Sequence, residues 1–394
     1  MNRPLKILMV LHMPWNRNLG GPRVQLELAD EFQAMGHHVE KFDCLDAFPQ
    51  PSNSRIASLL LPSFSTKAKQ YVQANAHRFD IIDAHQGNLP FSKQELGIQG
   101  LLVARSVGLF AFLQEFLEFE KKQWPQQKRG NPIGRLIRAF QQQREQPSYL
   151  QSLQACDLIN VPNEDEKIYL QQHWGLGHKC QAFPFGLTQK RQAAFVQAIQ
   201  PVTQRLEHQQ VAFIGYWCNR KGSRDWGAII QGVRAKLPDT KFLFLGTGVS
   251  EEVVLQDLNL PNSQGIEVIP SYDSDELPKL LSGATVGAFP SYMEGFGFGV
   301  LEKLACGLPS VAYDIPGPRA MLKPLDAALM VPVGNVEAFT AKLVQILQLD
   351  EIAYSQLSER CGVVAETFSW SRIAKDHLDV YSQELERLNA SLVH

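Results

Sequence analysis

Residues 290–309 read P-S-Y-M-E-G-F-G-F-G-V-L-E-K-L-A-C-G-L-P, and they gather the residue types most able to do chemistry. A short apolar run, Thr285 to Phe289, ends in this glycine-rich loop, and the loop opens into a helical pattern. Glu294 and Glu302 stand eight positions apart across the junction. Free backbone N–H groups at a helix start attract a phosphate. A carboxylate beside a phosphate site is costly unless it accepts hydroxyl hydrogen bonds, which sugars supply. The layout asks for a ligand with a diphosphate in its middle and a sugar at each end.

Three further loops could serve such a ligand. Gly215-Tyr-Trp-Cys-Asn-Arg220-Lys221-Gly222 follows an apolar run. A basic pair placed there can reach a diphosphate, lysine as a point charge and arginine bidentately; a solvated basic turn is the alternative. Leu19-Gly20-Gly21-Pro22-Arg23 lets a ligand approach the backbone, and Pro22 suits a first helical turn. Neither this run nor Phe244-Leu-Gly246-Thr-Gly248 completes G-x-G-x-x-G, which disfavours a nicotinamide dehydrogenase. Asp273-Ser-Asp275 has the form of a D-x-D metal motif, but Asp273 stands three residues before Glu276 at the head of an amphipathic run. That is the spacing of a capping box, so no metal is expected there.

The run from Pro290, with Cys306-Gly-Leu-Pro-Ser-Val-Ala-Tyr-Asp314 downstream, resembles the E-x7-E signature of a large family of retaining glycosyltransferases with the GT-B fold. These are the group 1, or glycogen-synthase-like, transferases. The resemblance implies that Glu294 contacts the donor sugar and that Glu302 accepts hydrogen bonds from the ribose hydroxyls. It implies that Gly295, Phe296, Gly297, Phe298, Gly299 and Val300 form the donor-binding loop and helix start. Lys221 matches the family lysine on the donor diphosphate. The family often carries an arginine after the strand glycine, where this chain has Tyr216, and Arg220 is the candidate substitute. By the same resemblance Gly20 and Gly21 face the phosphates and the acceptor, Gly246 lies under the nucleotide, and the strand end at Tyr272 meets the base.

One departure stands out. The family often has an R-S-H-G-like run whose histidine contacts the donor sugar, commonly at its 6-hydroxyl. Here the run is Arg105-Ser-Val107-Gly108. Arg105 and Val107 remain candidate sugar or acceptor contacts, and valine in that place favours a 6-deoxy sugar or a pentose. His85 is the nearest replacement imidazole, or else a satisfied strand-end histidine. The resemblance implies transfer from a UDP- or GDP-type sugar nucleotide to a hydroxyl acceptor, in polysaccharide or glycolipid biosynthesis. It implies no cofactor beyond this co-substrate and no metal. A sugar-nucleotide epimerase on the same fold, or a degenerate transferase that only binds a partner, are the rival readings.

Alternating patterns supply the elements that would hold these loops. Buried apolar runs predict strands at 6–11, 38–42, 80–84, 101–104, 157–161 and 181–185, then at 211–214, 241–245, 266–269, 285–289, 310–313 and 328–331. Amphipathic helices fill the intervals, the first over 22–35 with Gly36 as its left-handed cap. The reading is α/β: GT-B, two doubly wound Rossmann-like domains facing a central cleft. The expected division is an acceptor-side domain at 1–187, a polar connection containing a helix at 188–210, and a nucleotide-sugar domain at 211–370. By the same resemblance the last helix, about 371–394, crosses back to the first domain.

The 394 residues allow two full cores, and 44% hydrophobic with 20% charged content is that of a soluble globular chain. A net charge of −2 gives no case for nucleic acid. Six scattered cysteines without a C-x-x-C pair fit reduced thiols in the cytoplasm. The run Ile7–Leu11 is too short for a signal peptide, and no apolar stretch is long enough to span a membrane. Membrane contact would be peripheral, at the inner face. Residues Lys121–Arg144 interleave seven cations with Trp124, Ile133, Leu136 and Phe140. They read equally as a surface for anionic lipid or acceptor and as a solvated helical hairpin.

Overall fold

The structure, a computed structural model, describes residues 3–49, 63–124 and 148–391. The chain forms two compact units. One holds Met1–Phe110, Trp124–Pro184 and Trp370–His394; the other holds Ala111–Gln123 and Phe185–Ser369.

Each unit is built on a six-stranded parallel sheet. In the first the strands are β1 (Lys6–Leu11), β2 (His38–Asp43), β3 (Ile81–His85), β4 (Leu101–Arg105), β5 (Leu158–Val161) and β6 (Cys180–Ala182), in the order β2-β1-β3-β4-β5-β6. In the second they are β7 (Gln210–Ile214), β8 (Lys241–Leu245), β9 (Ile266–Ile269), β10 (Val286–Phe289), β11 (Ser310–Tyr313) and β12 (Met330–Val331), in the order β12-β11-β10-β7-β8-β9. All twelve expected strands are present, because strands covered on both faces read as short unbroken apolar runs. Their ends differ by a few residues. Asp80 and Asp157 fall just outside the strands they were expected to begin, since their carboxylates accept from Lys6 N and Leu102 N of neighbouring strands. β6 stops at Ala182, ahead of Pro184, which has no N–H to offer a ladder.

The first helix spans Gly20–Ala34, and Gly36 follows it at φ 89°, as expected of a left-handed position. The last helix, Trp370–Ser391, belongs to the first unit. A fully buried network fixes it to the sheet. Arg105 Nε donates to Asp83, Arg105 Nη2 donates to Tyr381 Oη at 2.9 Å, and Tyr381 donates to Asp83 Oδ2 at 2.8 Å. Asn160 Nδ2 donates to the same tyrosine oxygen at 2.8 Å. Burial and the adjoining Arg105 hold His377 well below the usual imidazole range. It is therefore neutral, donating from Nδ1 to Ile373 O and accepting from Arg105 at Nε2.

Two parts of the expected division are corrected. Residues 188–210 form helices Gln189–Ala198 and Val202–His208 that belong to the second unit, not a connection. Buried Arg205 holds them there by donating to Ala284 O and Gly307 O. Residues 111–123 also join the second unit, where Phe116 and Phe119 lie 6.4 and 5.8 Å from the Tyr292 ring and Asn219 donates to Glu120.

Candidate active site

In the second sheet the chain runs outward from β7 through β8 to β9, then returns to β10 on the other side of β7. β7 and β10 are thus neighbours where the strand order reverses, with Val211 beside Val286 and Ala212 beside Gly287. In open parallel sheets such a reversal leaves a crevice at the carboxyl ends of the strands, where ligands bind. The Arg220-Lys221 loop follows β7, and the Glu294 loop follows β10.

These two loops are zipped together. Tyr292 N donates to Arg220 O at 2.8 Å, and Arg220 Nη1 donates to Met293 O at 3.1 Å. Gly222, at φ 79°, passes under the Pro290 carbonyl. Asp225 accepts from the hydroxyls of Tyr292 and Tyr313 at 2.9 and 2.5 Å, fixing the β10 loop from below. The result places Lys221 Nζ 2.6 Å and Arg220 Nη1 3.3 Å from Glu294 Oε1. Burial pushes the Glu294 carboxyl up, but the two cations outweigh it and hold it below the usual range. Glu294 therefore stays ionised although only 8% exposed. Beside it is a cavity of about 300 Å³, walled by Phe112, Phe116, Phe119 and Tyr292.

The loop then turns at Gly297, φ 91°, and starts the helix Phe298–Ala305. No side chain caps this helix, and Gly299 lies 3.4 Å from Ile214 O by its absent Cβ. A glycine start with no competing side-chain cap leaves the helix end open to an anion. Phe296 and Val300 turn inward and are buried, so they shape the loop rather than present a surface. Glu302, on the second turn, is 5% exposed, and its Oε1 accepts from Arg191 Nη2 at 2.8 Å.

At the ends of β8 and β9, Gly246 N donates to Ile269 O and Gly248 N to Pro270 O. Gly246 packs against Tyr272 and Gly248 against Tyr216, with an added Cβ 3.1 and 2.6 Å from those rings. Tyr216 is 58% exposed where the family's arginine was sought. Asp273 caps the turn Ser274–Glu276, accepting from Asp275 N while Glu276 accepts from Asp273 N. Among the described residues no cluster of metal-ligating side chains occurs.

In the first unit, Gly20 and Gly21 open the first helix. An added Cβ at Gly21 would stand 2.9 Å from Met13 and 3.9 Å from Val107, whereas Gly20 has open space. Val107 is half-buried on a loop held by Ser106 and Gly108. Ser106 Oγ donates to Glu166 at 2.8 Å, and Gln86 Nε2 donates to Gly108 O at 2.7 Å. His85 is buried. Its Nδ1 bonds Gln86 O, its ring lies 5.0 Å from that of His12, and its Nε2 has no hydrogen-bond partner. Burial, helped by His12, pushes it down to about 3, so it is neutral. Arg105 needs correction as a sugar contact: it is 1% exposed and spends its guanidinium on Asp83, Tyr381 and His377. A buried guanidinium must be paired, and here the last helix supplies the partners.

Sequence reasoning missed Arg191, Glu166 and Lys303. Arg191 lay in a segment read as a connection. Glu166 looked like one acid among the several that begin the helix Glu164–Trp174. Lys303 is 0% exposed, donates to Ala288 O at 2.8 Å, and lies 5.3 Å from the Phe289 ring, as does Lys221. The lone cation in the apolar run F-G-V-L-E-K-L-A was the available signal. Of the basic stretch, Lys121 and Lys122 end the helix Phe110–Gln123; residues 125–147 lie outside the described residues. No helix among the described residues is long and apolar enough to cross a membrane.

The family model described as "Glycosyl transferases group 1" matches residues 208–349. A D-inositol 3-phosphate glycosyltransferase of Salinispora tropica is 33% identical over 118 residues, 30% of this chain. The chain spans only 24% of that relative's length. The sucrose-phosphate synthase structure from Thermosynechococcus elongatus superposes with a TM-score of 0.70 at 19% identity, covering 96% of this chain and 98% of that one. Anabaena HepE in complex with UDP-glucose gives 0.67 at 14% identity, over 96% and 100%. At these identities the structural likeness speaks for the fold, two parallel Rossmann-like units of the GT-B kind, and the likeness to the group 1 glycosyltransferase family model covers residues 208–349.

Proposed function

We propose that this chain transfers a glycosyl group from a nucleoside-diphosphate sugar to a hydroxyl acceptor, with retention at the anomeric carbon. The observation that carries this reading is the cluster of Lys221 and Arg220 on the Glu294 carboxylate, where β7 and β10 end side by side. Lysine has three donors, so Lys221 can keep Glu294 while meeting a diphosphate oxygen. Glu294, kept ionised, accepts from donor-sugar hydroxyls, and Glu302 accepts from the ribose. Gly295, Gly297, Phe298 and Gly299 bring backbone to the phosphates, and Gly246 and Tyr272 floor the nucleoside. HepE, which shares the fold, is described in complex with UDP-glucose, which supports a donor of this class.

In the step itself, the acceptor oxygen bonds to the anomeric carbon as the bond to the leaving phosphate oxygen breaks. That oxygen keeps the electron pair and takes the acceptor's proton, on the same face of the sugar. Lys221, Arg220 and the open helix start carry the charge that develops on the diphosphate, without a divalent cation. The six free thiols support a cytoplasmic setting, and Lys121 and Lys122 support peripheral contact with an anionic membrane or acceptor.

Calorimetric titration with UDP and GDP in excess chelator tests the donor site. Binding that vanishes with chelator and returns with manganese would overturn the metal-free reading. The anomeric coupling constant of the product, read by NMR, tests retention.

A further inference from the structure

Glu302 is held by a residue from an element with no obvious share in the site. Leu187 N donates to Phe368 O at 2.9 Å, and Thr188 Oγ1 accepts from Arg191 N, so the start of the helix Gln189–Ala198 is fixed in place. One turn in, the 8% exposed Arg191 divides its guanidinium between two elements. Nη2 donates to Glu302 Oε1 at 2.8 Å, and Nη1 donates to Ser274 O at 3.0 Å. The exposed Asp275 carboxylate stands further off, at 3.9 Å. Arg191 thus ties the Glu302 carboxylate to the turn that directly follows Tyr272.

A carboxylate that accepts from two vicinal hydroxyls must present its plane at a fixed angle. A guanidinium anchored on Ser274 O through one nitrogen and on Glu302 Oε1 through the other restrains the position of that carboxylate oxygen, and with it the angle at which the carboxylate faces the ligand.

We propose that Arg191 is the positioning residue that makes Glu302 selective for ribose over deoxyribose in the bound nucleotide. This rests on the reading of Glu302 as the ribose acceptor. It predicts that loss of Arg191 removes sugar discrimination in the nucleoside without removing the diphosphate contacts.

The test is calorimetric titration of UDP and 2′-deoxy-UDP, and of GDP and 2′-deoxy-GDP, into the wild type, Arg191→Met, Arg191→Lys and Glu302→Gln. The wild type should prefer the ribonucleotide by roughly ten- to hundredfold, the loss of one hydrogen bond to a charged acceptor. Arg191→Met should cut that preference to about threefold or less, chiefly by weakening ribonucleotide binding, and should resemble Glu302→Gln in this. Arg191→Lys keeps the charge but not the fork, so its preference should fall between the two. A merely structural role would weaken both nucleotides alike and leave the ratio intact, and that result overturns the proposal. Should the methionine variant fail to fold, an Arg191→Lys ratio equal to that of the wild type overturns it as well. Wild type that binds both nucleotides equally well removes the ribose role of Glu302 and this inference with it, while diphosphate binding stands. Wild type that binds none of the four removes the donor-site reading and the inference together.

Discussion

Gly222 lies so close beneath Pro290 that a Cβ on it would stand 2.1 Å from the Pro290 carbonyl oxygen. The contact is backbone on backbone, so no flexible side chain can yield. It joins the cationic loop after β7 to the carboxylate loop after β10, and its φ of 79° is itself unfavourable for any other residue. Gly222→Ala should lower stability by about 2–4 kcal/mol, strain and left-handed backbone combined. It should also weaken nucleoside diphosphate binding. Gly36→Ala is the control: its φ is 89°, but nothing lies within 4 Å, so only the backbone penalty of about 1–2 kcal/mol should appear. Urea denaturation of both variants checks the difference.

Lys221 and Glu294 should be strongly coupled. Lys221→Met leaves a buried carboxylate with Arg220 as its remaining cation, so it should cost about 2 kcal/mol and at least tenfold in diphosphate affinity. Adding Glu294→Gln removes the stranded charge and should restore most of the stability but none of the affinity. A double variant as unstable as the sum of the two single variants would show that the pair is not coupled.

Lys303 gives a pH dependence of definite sign. Burial first, and then Lys221, push its ammonium down from 10.5 to about 7; Glu302 opposes this. Between those values the unfolded chain binds a proton that the folded chain does not, so stability rises with pH across that window. The cost of the buried charge is full below pH 7 and fades toward pH 10.5. Lys303→Met should therefore stabilise the protein more at pH 6 than at pH 9, by a difference on the order of 2 kcal/mol. Thermal and urea unfolding at the two pH values read this directly.

Glu166 should show the opposite slope. Burial pushes its carboxyl up from 4.5 to about 8, against hydrogen bonds from Ser106, Leu109 N and Asn163. Here the folded chain holds a proton that the unfolded chain has released, so stability falls as pH rises from about 4.5 to 8. Glu166→Gln keeps one acceptor oxygen and has no proton to lose. Its advantage over the wild type should grow between pH 5 and pH 9, on the order of 2 kcal/mol. A stability difference that stays flat across that range would mean Glu166 is ionised in the fold.

What could be read in advance was local. Each strand announced itself as an apolar run, Gly36 as a helix stop, and Asp273 with Glu276 as a cap, because those signals lie within a few residues of one another. The loops bearing Lys221 and Glu294 were legible for the same reason, each following its own strand. The partnerships that set charge and orientation were not. Arg105 finds Tyr381 across 276 residues, and Arg191 finds Glu302 across 111. No periodicity links such positions. Lys303 was missed for a steric reason: Gly287 on β10 leaves a gap in the sheet face that the lysine stem fills, and a Cβ there would stand 2.6 Å from Lys303 Cδ. A residue that looks solvated on its own helix is buried by an absence on a neighbouring strand.

The adjacency of β7 and β10 also governs when in folding the chain can first hold its ligand. Val211 and Val286 pair across 75 residues, so the central seam of the second sheet closes only after β8, β9 and their helices have been threaded out on one side. Non-local parallel pairing of this kind is slow, because the entropy of closing a long loop is lost before any contact repays it. Until the seam closes, Lys221 and Glu294 are on separate, unjoined segments. Nucleotide affinity should therefore appear in a single late phase of refolding, together with protection of the β7 and β10 amides. A chain released during synthesis before residue 286 would carry Lys221 and Arg220 without the strand and carboxylate loop that seat them, and should not bind nucleotide.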